Sequence, residues 1–416
     1  MTATAPALDP ETVRARFPAL QRRIDGRRVA YFDGPGGSQV PAAVIEAMSE
    51  YLERSNANAG GGFASSRETD ELLEAAHEAA ADLVGAEPGE IAFGANMTTL
   101  NFALSRAFGR TLARGDELVV TQLDHDANVS PWFRLAEDFG LEIRIAPIDP
   151  ADGSLDLEAL ESLLGARTRV VAFPLASNAL GNVPDARRIA DAAHRVGALA
   201  WADGVHLAPH RRIDREALGV DVLLCSPYKF FGPHLGLAAV RRDLAVAWPA
   251  DRVRAADPDP PGHRYETGTL SHEALAGTVA AVDYLAALGR GAGDGRHRLD
   301  GVFESIRAHE DDLSRRFLQA LAGIEGVRPH GIADPARVGE RTPTFCVSFD
   351  RRSPRAAAEA LGERGMFAWD GHYYAVGPMG ALGLLPDGAL RLGFLHYNTA
   401  TEVDDLAAAL AELAGA

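Results

Sequence analysis

The sequence contains little cysteine and almost no lysine. Its 416 residues include two cysteines, Cys225 and Cys346, which excludes a disulfide framework and a cysteine-rich metal site, and no metal is expected. Of the 41 basic residues one is a lysine, Lys229, and the other 40 are arginines. Arginine can replace lysine in solvation and in ion pairs, but its guanidinium stays protonated and cannot form an imine. Lys229 is therefore a candidate for amine chemistry, with accidental retention in an arginine-rich chain as the alternative.

Long apolar runs and excess positive charge are also missing. No stretch approaches about 18 uninterrupted apolar residues, and the polar N-terminus has no apolar segment of signal-peptide length. The 41 basic and 58 acidic residues give a formal charge of -17, which argues against nucleic acid as the main partner. We therefore expect a soluble protein of the reducing cytoplasm that binds neither nucleic acid nor membranes.

Short apolar runs alternate with amphipathic helical patterns from about residue 70 onwards. The runs that predict strands are IAFGA, ELVVTQ, LEIRIAPI, TRVVAFPL, ALAWAD and VDVLLCS. This alternation predicts an α/β fold with a mainly parallel sheet covered by helices on both faces. After residue 270, two long helices and two strand-like stretches, TPTFCVSF and ALRLGFLHY, predict a smaller α+β domain. The expected bounds are residues 26–272 for the large domain, and 1–25 with 273–416 for the small one.

Polar side chains follow the predicted strands. In a doubly wound sheet, ligands bind beyond the carboxyl ends of the strands. Taken singly, each of these residues fits an ordinary turn, loop or capping position. Together they place acids, two histidines, small hydroxyl and amide groups and the only lysine at one edge of one sheet, which predicts a functional site there. These residues are Asp124, His125, Asp126, Asn128, Ser177, Asn178, Asp203, His206, Ser226, Tyr228 and Lys229.

Seven motifs succeed one another along nearly the whole chain: YFDGPGGSQVP, DHDANVSPW, ASNALGNVPD, WADGVHLAPH, SPYKFFGPHLG, YETGTLSHE and RLGFLHYNT. In content, order and spacing they resemble the class V aminotransferase group of fold-type I pyridoxal-phosphate (PLP) enzymes, most closely its cysteine desulfurase and selenocysteine lyase branch. The resemblance implies PLP as cofactor. It also implies a fold-type I transferase, whose large domain contains a mainly parallel, seven-stranded type of sheet.

The resemblance gives several residues a role toward the cofactor. Lys229 corresponds to the lysine that forms the Schiff base, and Asp203 to the partner of the pyridine nitrogen, which keeps the ring electron-withdrawing. His125 corresponds to the histidine stacked on the ring, where it can also move protons. The remaining cofactor positions are His206 and Asn178 near the phenolic oxygen, and Asn96, Met97, Ser226, Tyr228 and Thr269 around the phosphate. Because the family's threonine comes from the neighbouring subunit, Thr269 implies a homodimer with shared sites.

The substrate side of the site rests on Arg391. In ALRLGFLHYN it matches the arginine that grips the substrate α-carboxylate through two bonds and so fixes the geometry at Cα. Without the motif, a surface ion pair would be the ordinary reading of one arginine among 40. Asn178 and His372 are further candidates for substrate contact, and for His372 structural packing is an equal alternative.

The nucleophilic cysteine of the desulfurases is missing. The corresponding loop reads FAWDGHYYAVGP, with Tyr374 in the place of the cysteine and Trp369 in the place of a second arginine. Both cysteines of the chain lie in apolar, strand-like stretches, where we expect them to be buried and unreactive. Tyr373 and Tyr374 are candidates either for acid–base groups or for walls of the pocket.

These observations predict a PLP-dependent homodimer that acts on an amino acid, with Lys229 as the base at Cα. The first choice of reaction is β-elimination from a cysteine-like amino acid, which releases a thiol or sulfide without a protein persulfide. Transamination and epimerisation start from the same carbanion and are the alternatives. A non-catalytic binding protein is a further alternative, which the presence of Lys229, Asp203 and Arg391 disfavours.

Overall fold

The computed structural model describes residues 8–289 and 295–415, so the first seven residues of the expected small domain lie outside it. A seven-stranded sheet forms its centre. The strands are β1 (Ile91–Gly94), β2 (Glu117–Thr121), β3 (Glu142–Ala146), β4 (Thr168–Pro174), β5 (Leu199–Asp203), β6 (Val222–Cys225) and β7 (Gly236–Val240). Their order across the sheet is β1-β7-β6-β5-β4-β2-β3.

The large sheet is parallel except for one strand. β7 runs antiparallel to both of its neighbours, β1 and β6, whereas the other pairs are parallel. The α/β fold with a mainly parallel sheet is thereby confirmed. The apolar runs predict six of the seven strands. The seventh, β7, has only the short sequence GLAAV directly after the SPYKFFGPHL turn and is not among the predicted strands.

Helices cover both faces of the large sheet and flank the small one. They are α1 (Pro10–Arg14), α2 (Ala42–Glu50), α3 (Ala64–Val84), α4 (Met97–Gly109), α5 (Ser130–Phe139), α6 (Leu157–Ser162), α7 (Ala186–Arg195), α8 (Arg215–Leu218), α9 (Arg242–Ala247), α10 (His272–Leu288), α11 (Gly295–Leu321), α12 (Pro354–Glu363), α13 (Val376–Ala381) and α14 (Ala400–Gly415). Successive strand residues enter different apolar clusters on the two faces, as Val170 and Val171 do. Burial on both sides explains why the inner strands, such as β4, β5 and β6, are mainly apolar, whereas the edge strand β3 contains Glu142 and Arg144 and is largely exposed.

A second, four-stranded sheet lies in the C-terminal part of the chain. Its strands are β8 (Val327–His330), β9 (Thr344–Phe349), β10 (Trp369–Gly371) and β11 (Ala389–Gly393), in the order β8-β9-β11-β10, and all pairs are antiparallel. The two predicted strand stretches are thus neighbours, although the second one ends at Gly393 and its FLHY segment is not strand. A separate cluster of Phe317, Phe345 and Phe394 fills the space between this sheet and α11.

The N-terminal segment contacts the second sheet region. Residues Ala30–Tyr31 pair in parallel with Met366–Phe367, and Phe32 is buried in the same apolar cluster as Phe345. Helix α10 packs against α2 and α3. The exact domain bounds at residues 25 and 272 remain predictions. Within the described residues, no helix combines the length and the apolar character needed to cross a membrane.

Candidate active site

The residues that follow β2, β4, β5 and β6 converge on one cavity, as the strand-end pattern predicts. The cavity also receives the first turn of α4. Its lining consists of Asn96, Met97, Thr98, His125, Ala127, Pro174, Ala176, Asn178, Asp203, Val205, His206, Ser226, Tyr228 and Lys229. Nine of the sequence-predicted residues are therefore brought together, and Thr269, His372, Tyr374 and Arg391 are placed outside this lining.

Lys229 lies one short turn beyond the end of β6 and is buried. Its Nζ donates a hydrogen bond to the carbonyl oxygen of Pro35 at 2.5 Å. Burial, helped by the charge of Arg391 and opposed by that of Asp203, lowers the pKa of the Lys229 amine to about 7. A large fraction of the amine is therefore unprotonated near neutral pH, which is the form that acts as nucleophile and base.

Asp203 is the last residue of β5, and its side chain is buried at the cavity wall. Its Oδ1 accepts a hydrogen bond from the backbone N–H of Val205 at 2.9 Å. In the described part of the chain Oδ2 has no hydrogen-bond partner, so it is available to a group in the cavity. Burial raises the pKa of the carboxyl to about 6, and the hydrogen bond from Val205 and the charge of Lys229 act against this rise.

His125 follows β2 and presents a neutral ring. Its Nδ1 accepts a hydrogen bond from the backbone N–H of Ala127 at 3.0 Å, so the proton of the neutral imidazole is on Nε2. Burial lowers the pKa of His125 to about 4, and the nearby charges of Lys229 and Arg391 contribute. The ring lies beside that of Tyr374, with 5.6 Å between the ring centroids.

Asn178 connects the cavity to the second sheet. Its side-chain Nδ2 donates a hydrogen bond to the main-chain carbonyl oxygen of Tyr373 at 3.0 Å. Its main-chain carbonyl oxygen accepts a hydrogen bond from Arg391 at 3.0 Å. The Oδ1 atom is buried and has no partner among the described residues. A buried acceptor left unpaired costs about 1–3 kcal/mol, which a donor group bound in the cavity would offset.

His206 is engaged by threonines that the sequence analysis did not single out. Its Nε2 lies 2.9 Å from the hydroxyl of Thr344 and 3.3 Å from that of Thr342. Burial holds the pKa of His206 well below its ordinary value. Both threonines belong to the TPTFCVSF stretch, but only folding brings them close to His206, which is distant in the chain.

The first turn of α4 forms the wall of the cavity that suits an anion. Asn96 is the N-cap, and its side chain accepts from the backbone N–H of Thr99 at 2.8 Å. The amide groups of the first helical residues, Met97 and Thr98, have no partner within a helix, and the helix dipole favours a negative charge at this end. Gly236 on β7 is required here, since a Cβ at this position would lie 2.3 Å from the Asn96 carbonyl carbon.

Arg391 is a buried cation without an acidic partner. It lies on β11, and its guanidinium carbon is 4.3 Å from the centroid of the Tyr373 ring. Its Nε is buried and unpaired, and within residues 8–289 and 295–415 no carboxylate oxygen lies within 4.0 Å of it. Burial lowers the pKa of Arg391 to about 10, so it remains charged at neutral pH. Such a group favours the binding of an anion from outside the chain.

The loop that holds His372, Tyr373 and Tyr374 lies beside the cavity and contacts its lining residues His125 and Asn178. Tyr373 and Tyr374 have φ values of 52° and 57°, a left-handed conformation that costs bulky residues about 1 kcal/mol or more each. The carbonyl oxygen of Tyr374 accepts from the backbone N–H of Asp126 at 2.7 Å. The hydroxyl of Tyr373 donates to the carbonyl of Ala389, which favours a wall over an acid–base group, whereas the Tyr374 side chain is exposed.

Both cysteines are core residues, as expected. Cys225 ends β6 and Cys346 lies within β9, and neither side chain is exposed. Burial raises the pKa of the Cys225 thiol strongly and that of Cys346 to about 12. Neither thiol can readily supply the thiolate that a sulfur-accepting nucleophile requires.

Sequence reasoning missed two residues of the YFDGPGG segment. Pro35 accepts the hydrogen bond of Lys229, and Asp33 is mostly buried with an unpaired Oδ1. Burial raises the pKa of Asp33 to about 6, and the Arg391 charge acts against the rise. The glycines of the YFDGPGG motif were the available signal for these two residues, because a Gly-rich turn allows the backbone to approach other groups closely. Thr269 lies exposed directly after Gly268, outside the cavity of its own chain.

The profile of the family described as aminotransferase class-V matches residues 30–406. The chain belongs to this family. It is 32% identical over 96% of its length to the aminotransferase-like protein FGM3 of Gibberella zeae, of which it covers 97%; the alignment spans 410 residues. A cysteine desulfurase of Pectobacterium carotovorum is 30% identical, with 96% of this chain and 97% of the relative covered.

The fold agrees with that membership. The apo structure of the cysteine desulfurase from Thermococcus onnurineus superimposes with a TM-score of 0.86 and 26% identity, and 99% of each chain is covered. The class V protein described here is therefore a cysteine desulfurase-like PLP enzyme of fold-type I. The residues of the cavity fit PLP. Lys229 offers a neutral amine, Asp203 offers an unpaired Oδ2, and the amide groups at the start of α4 offer a site for the phosphate.

Proposed function

We propose that the protein is a PLP-dependent lyase that cleaves the C–S bond of a cysteine-type amino acid by β-elimination, without a protein persulfide. One combination of features carries the proposal. The residues for cofactor attachment and for carboxylate binding, Lys229, Asp203 and Arg391, are all present, whereas the two thiols of the chain are buried and inaccessible. A persulfide mechanism needs a thiolate that reaches the substrate sulfur. The loop beside the cavity offers Tyr374 instead, and a phenol cannot accept sulfur in that way.

Lys229 holds the cofactor through its amine and afterwards takes the proton from Cα. PLP, when bound, withdraws electrons from the Cα of the amino acid. Asp203 supports this by presenting its free Oδ2 to the pyridine nitrogen. Since the Lys229 pKa is lowered to about 7, the amine can both release and take up a proton near neutral pH.

The remaining groups orient the substrate. Arg391 binds the α-carboxylate with the guanidinium atoms that the protein leaves unpaired, and Asn178 offers its unpaired Oδ1 to a donor beside it. His125 covers the cofactor with a neutral ring whose Nε2–H can be donated. His206 and Ser226 line the same cavity. His372 and the exposed hydroxyl of Tyr374 stand beside the cavity, where they can reach the leaving group.

We further propose a homodimer in the cytoplasm, in which Thr269 of one subunit reaches the phosphate in the other. The exposed position of Thr269, outside the cavity of its own chain, supports such an arrangement. The low cysteine content supports a reducing compartment. Domains of residues 26–272, and of 1–25 with 273–416, complete this proposal.

A product assay tests the proposed reaction. Holoenzyme with L-cysteine and S-substituted cysteines should give pyruvate, ammonium and a thiol or sulfide in equal amounts, and the Cys225→Ser/Cys346→Ser double variant should retain this activity. Formation of alanine that disappears in the double variant would show that one of the cysteines is a nucleophile. Formation of a keto acid that keeps the side chain would identify a transaminase, and loss of optical activity alone an epimerase.

A further inference from the structure

Four neighbouring residues form an aromatic rim beside the cavity, next to His125, Asn178 and Arg391: Trp369, His372, Tyr373 and Tyr374. Trp369 is 52% exposed and Tyr374 is 67% exposed. Asp370, the next residue on β10, alternates to the other face of the strand, where its Oδ1 lies 3.5 Å from Arg355. The rim therefore presents mainly aromatic rings.

Trp369 stands between the two ends of the site. It is the cross-strand neighbour of Arg391 in the pairing of β10 with β11. Its indole also packs against the turn that contacts Lys229, since a Cβ on Gly36 would lie 2.5 Å from the indole Nε1. Pro35, the preceding residue, accepts the Lys229 hydrogen bond. The indole therefore contacts Gly36, the residue next to the Lys229 partner Pro35, and it also lies beside Arg391.

Tyr373 and Tyr374 form the rest of the rim. The ring of Tyr373 lies on the Arg391 guanidinium, and the ring of Tyr374 lies beside His125 in the cavity. The main chain of this segment is fixed by hydrogen bonds from Asn178 and Asp126. A left-handed backbone at both tyrosines sets the direction of their side chains. The protein maintains this unfavourable backbone to place two rings beside the cavity.

We infer that the rim binds the substrate side chain, and that this side chain is a cysteine sulfur carrying a large aromatic or apolar group rather than a free thiol. The inference rests on the proposed elimination and specifies its substrate class. Exposed aromatic faces gain free energy when another ring or apolar group covers them. A free thiol has a single heavy atom beyond Cβ and would leave the indole and the phenol in water.

The chemistry of the leaving group points to the same class. In the elimination, the Cα–H bond breaks and its proton passes to Lys229, while the Cβ–S bond breaks and its electron pair goes to sulfur. One water molecule then converts the remaining fragment into pyruvate and ammonium. Inside the cavity the proton donors are weak, because the His125 ring is neutral and the Tyr373 hydroxyl is bonded to Ala389, so His372 and Tyr374 are the remaining donors to the sulfur. An aromatic thiolate departs with less protonation than an alkyl thiolate does.

Binding can be measured without any C–S cleavage. L-Homophenylalanine and L-norvaline replace the sulfur of S-phenylcysteine and S-methylcysteine by carbon. We expect the holoenzyme to bind homophenylalanine at least about tenfold more tightly in calorimetry. The other tryptophans, Trp132, Trp201 and Trp248, are at most 3% exposed, so acrylamide quenching of fluorescence reports mainly on Trp369. Homophenylalanine should protect this fluorescence, and norvaline should not.

Variants separate the rim from general effects. Trp369→Ala and Tyr374→Ala should reduce the preference for homophenylalanine over norvaline, while Phe139→Ala, which removes an exposed ring at the end of α5, should preserve it. In turnover, the ratio of kcat/KM for S-phenyl-L-cysteine to that for S-methyl-L-cysteine should fall in Trp369→Ala and stay unchanged in Phe139→Ala, because the leaving groups are the same in all variants.

Two results would overturn the inference. One is equal binding of homophenylalanine and norvaline. The other is a Trp369 that acrylamide cannot reach in the ligand-free holoenzyme, because a neighbouring subunit would then cover the rim. If homophenylalanine binds preferentially but no substituted cysteine yields pyruvate, the aromatic side-chain class stands and the proposed elimination is wrong.

Discussion

Single residues in this site keep polar atoms that the protein itself does not satisfy. Asn178 Oδ1, Arg391 Nε and Asp33 Oδ1 are buried without a partner among the described residues. Each such atom costs about 1–3 kcal/mol, and more when the group is charged. Their proximity around one cavity marks the place where a ligand supplies the missing partners. By contrast, the two cysteines are buried on strands, where they behave as small apolar side chains.

The single lysine makes the attachment of the cofactor easy to test. We expect a yellow holoenzyme in which borohydride reduction fixes PLP to the peptide that contains Lys229, because an imine conjugated with the ring absorbs visible light. Lys229→Arg should remove the covalent link, since a guanidinium stays protonated. Peptide mapping by mass spectrometry checks both statements. A reduced adduct at any other residue of the variant would contradict the role of Lys229.

The pH dependence of the Lys229 amine follows from its burial. The shift is downward, so the neutral amine dominates above a pKa of about 7, whereas an ordinary lysine reaches this state only above about 10.4. In cofactor-free protein, labelling of Lys229 by an amine-reactive probe should therefore rise with a midpoint near pH 7. Urea-unfolded protein serves as the control and should show the ordinary midpoint. Equal midpoints in the two states would show that the folded environment does not depress this pKa.

At the scale of elements, a turn and a strand from distant parts of the chain build the anion-binding wall. The first turn of α4 is stable because Asn96 caps it, and it approaches β7 closely because Gly236 has no Cβ. The rim loop is a comparable case, in which β10 and the following turn place rings beside the cavity. In both places the backbone is positioned by hydrogen bonds and close approach.

Replacement of the Asn96 cap should affect both stability and cofactor binding. Asn96→Ala removes an N-cap worth about 1 kcal/mol and loosens the amides of Met97 and Thr98. We expect a lower denaturation midpoint and a higher Kd for PLP by fluorescence titration. Asp156→Ala removes the equivalent cap of α6, away from the cavity, and should lower stability without changing the Kd. An unchanged Kd in Asn96→Ala would show that this turn does not bind the phosphate.

At the scale of the whole molecule, the proposed homodimer makes each site depend on two chains. Thr269 is exposed and is not part of the cavity lining of its own chain, so the proposal assigns its contribution to the site of the neighbouring subunit. We therefore expect the exposed rim to face the substrate and the exposed Thr269 to face the neighbouring subunit.

Mixing experiments test this sharing of sites. Lys229→Arg and Thr269→Ala should each be severely impaired alone. In a mixed dimer, one site combines Lys229 from the second variant with Thr269 from the first and should be intact. We expect activity to return after subunit exchange, and sedimentation to show a dimer. Activity that stays at the sum of the two parents, or a fully active monomer, would exclude a contribution in trans.

The sequence alone determined the fold class and which chemical groups lie at the sheet edge. Parallel strands buried on both faces are readable as apolar runs, and the residues just beyond them share one edge by topology. This accounts for the correct expectation that Lys229, Asp203, His125 and Asn178 line one cavity. The missing thiol was equally visible, because it depends only on residue identity.

Tertiary structure decided the partners and charge states of these groups. Thr344 meets His206 across 138 positions of the chain, and Tyr373 meets Asn178 across 195. No local pattern encodes such pairs, since they arise when two sheets pack together. The lowered pKa of Lys229 likewise depends on burial by segments far away in the chain. The strand β7 escaped prediction for a related reason: the glycine and two alanines of GLAAV have little strand propensity, and the segment becomes a strand through its pairing with β1 and β6.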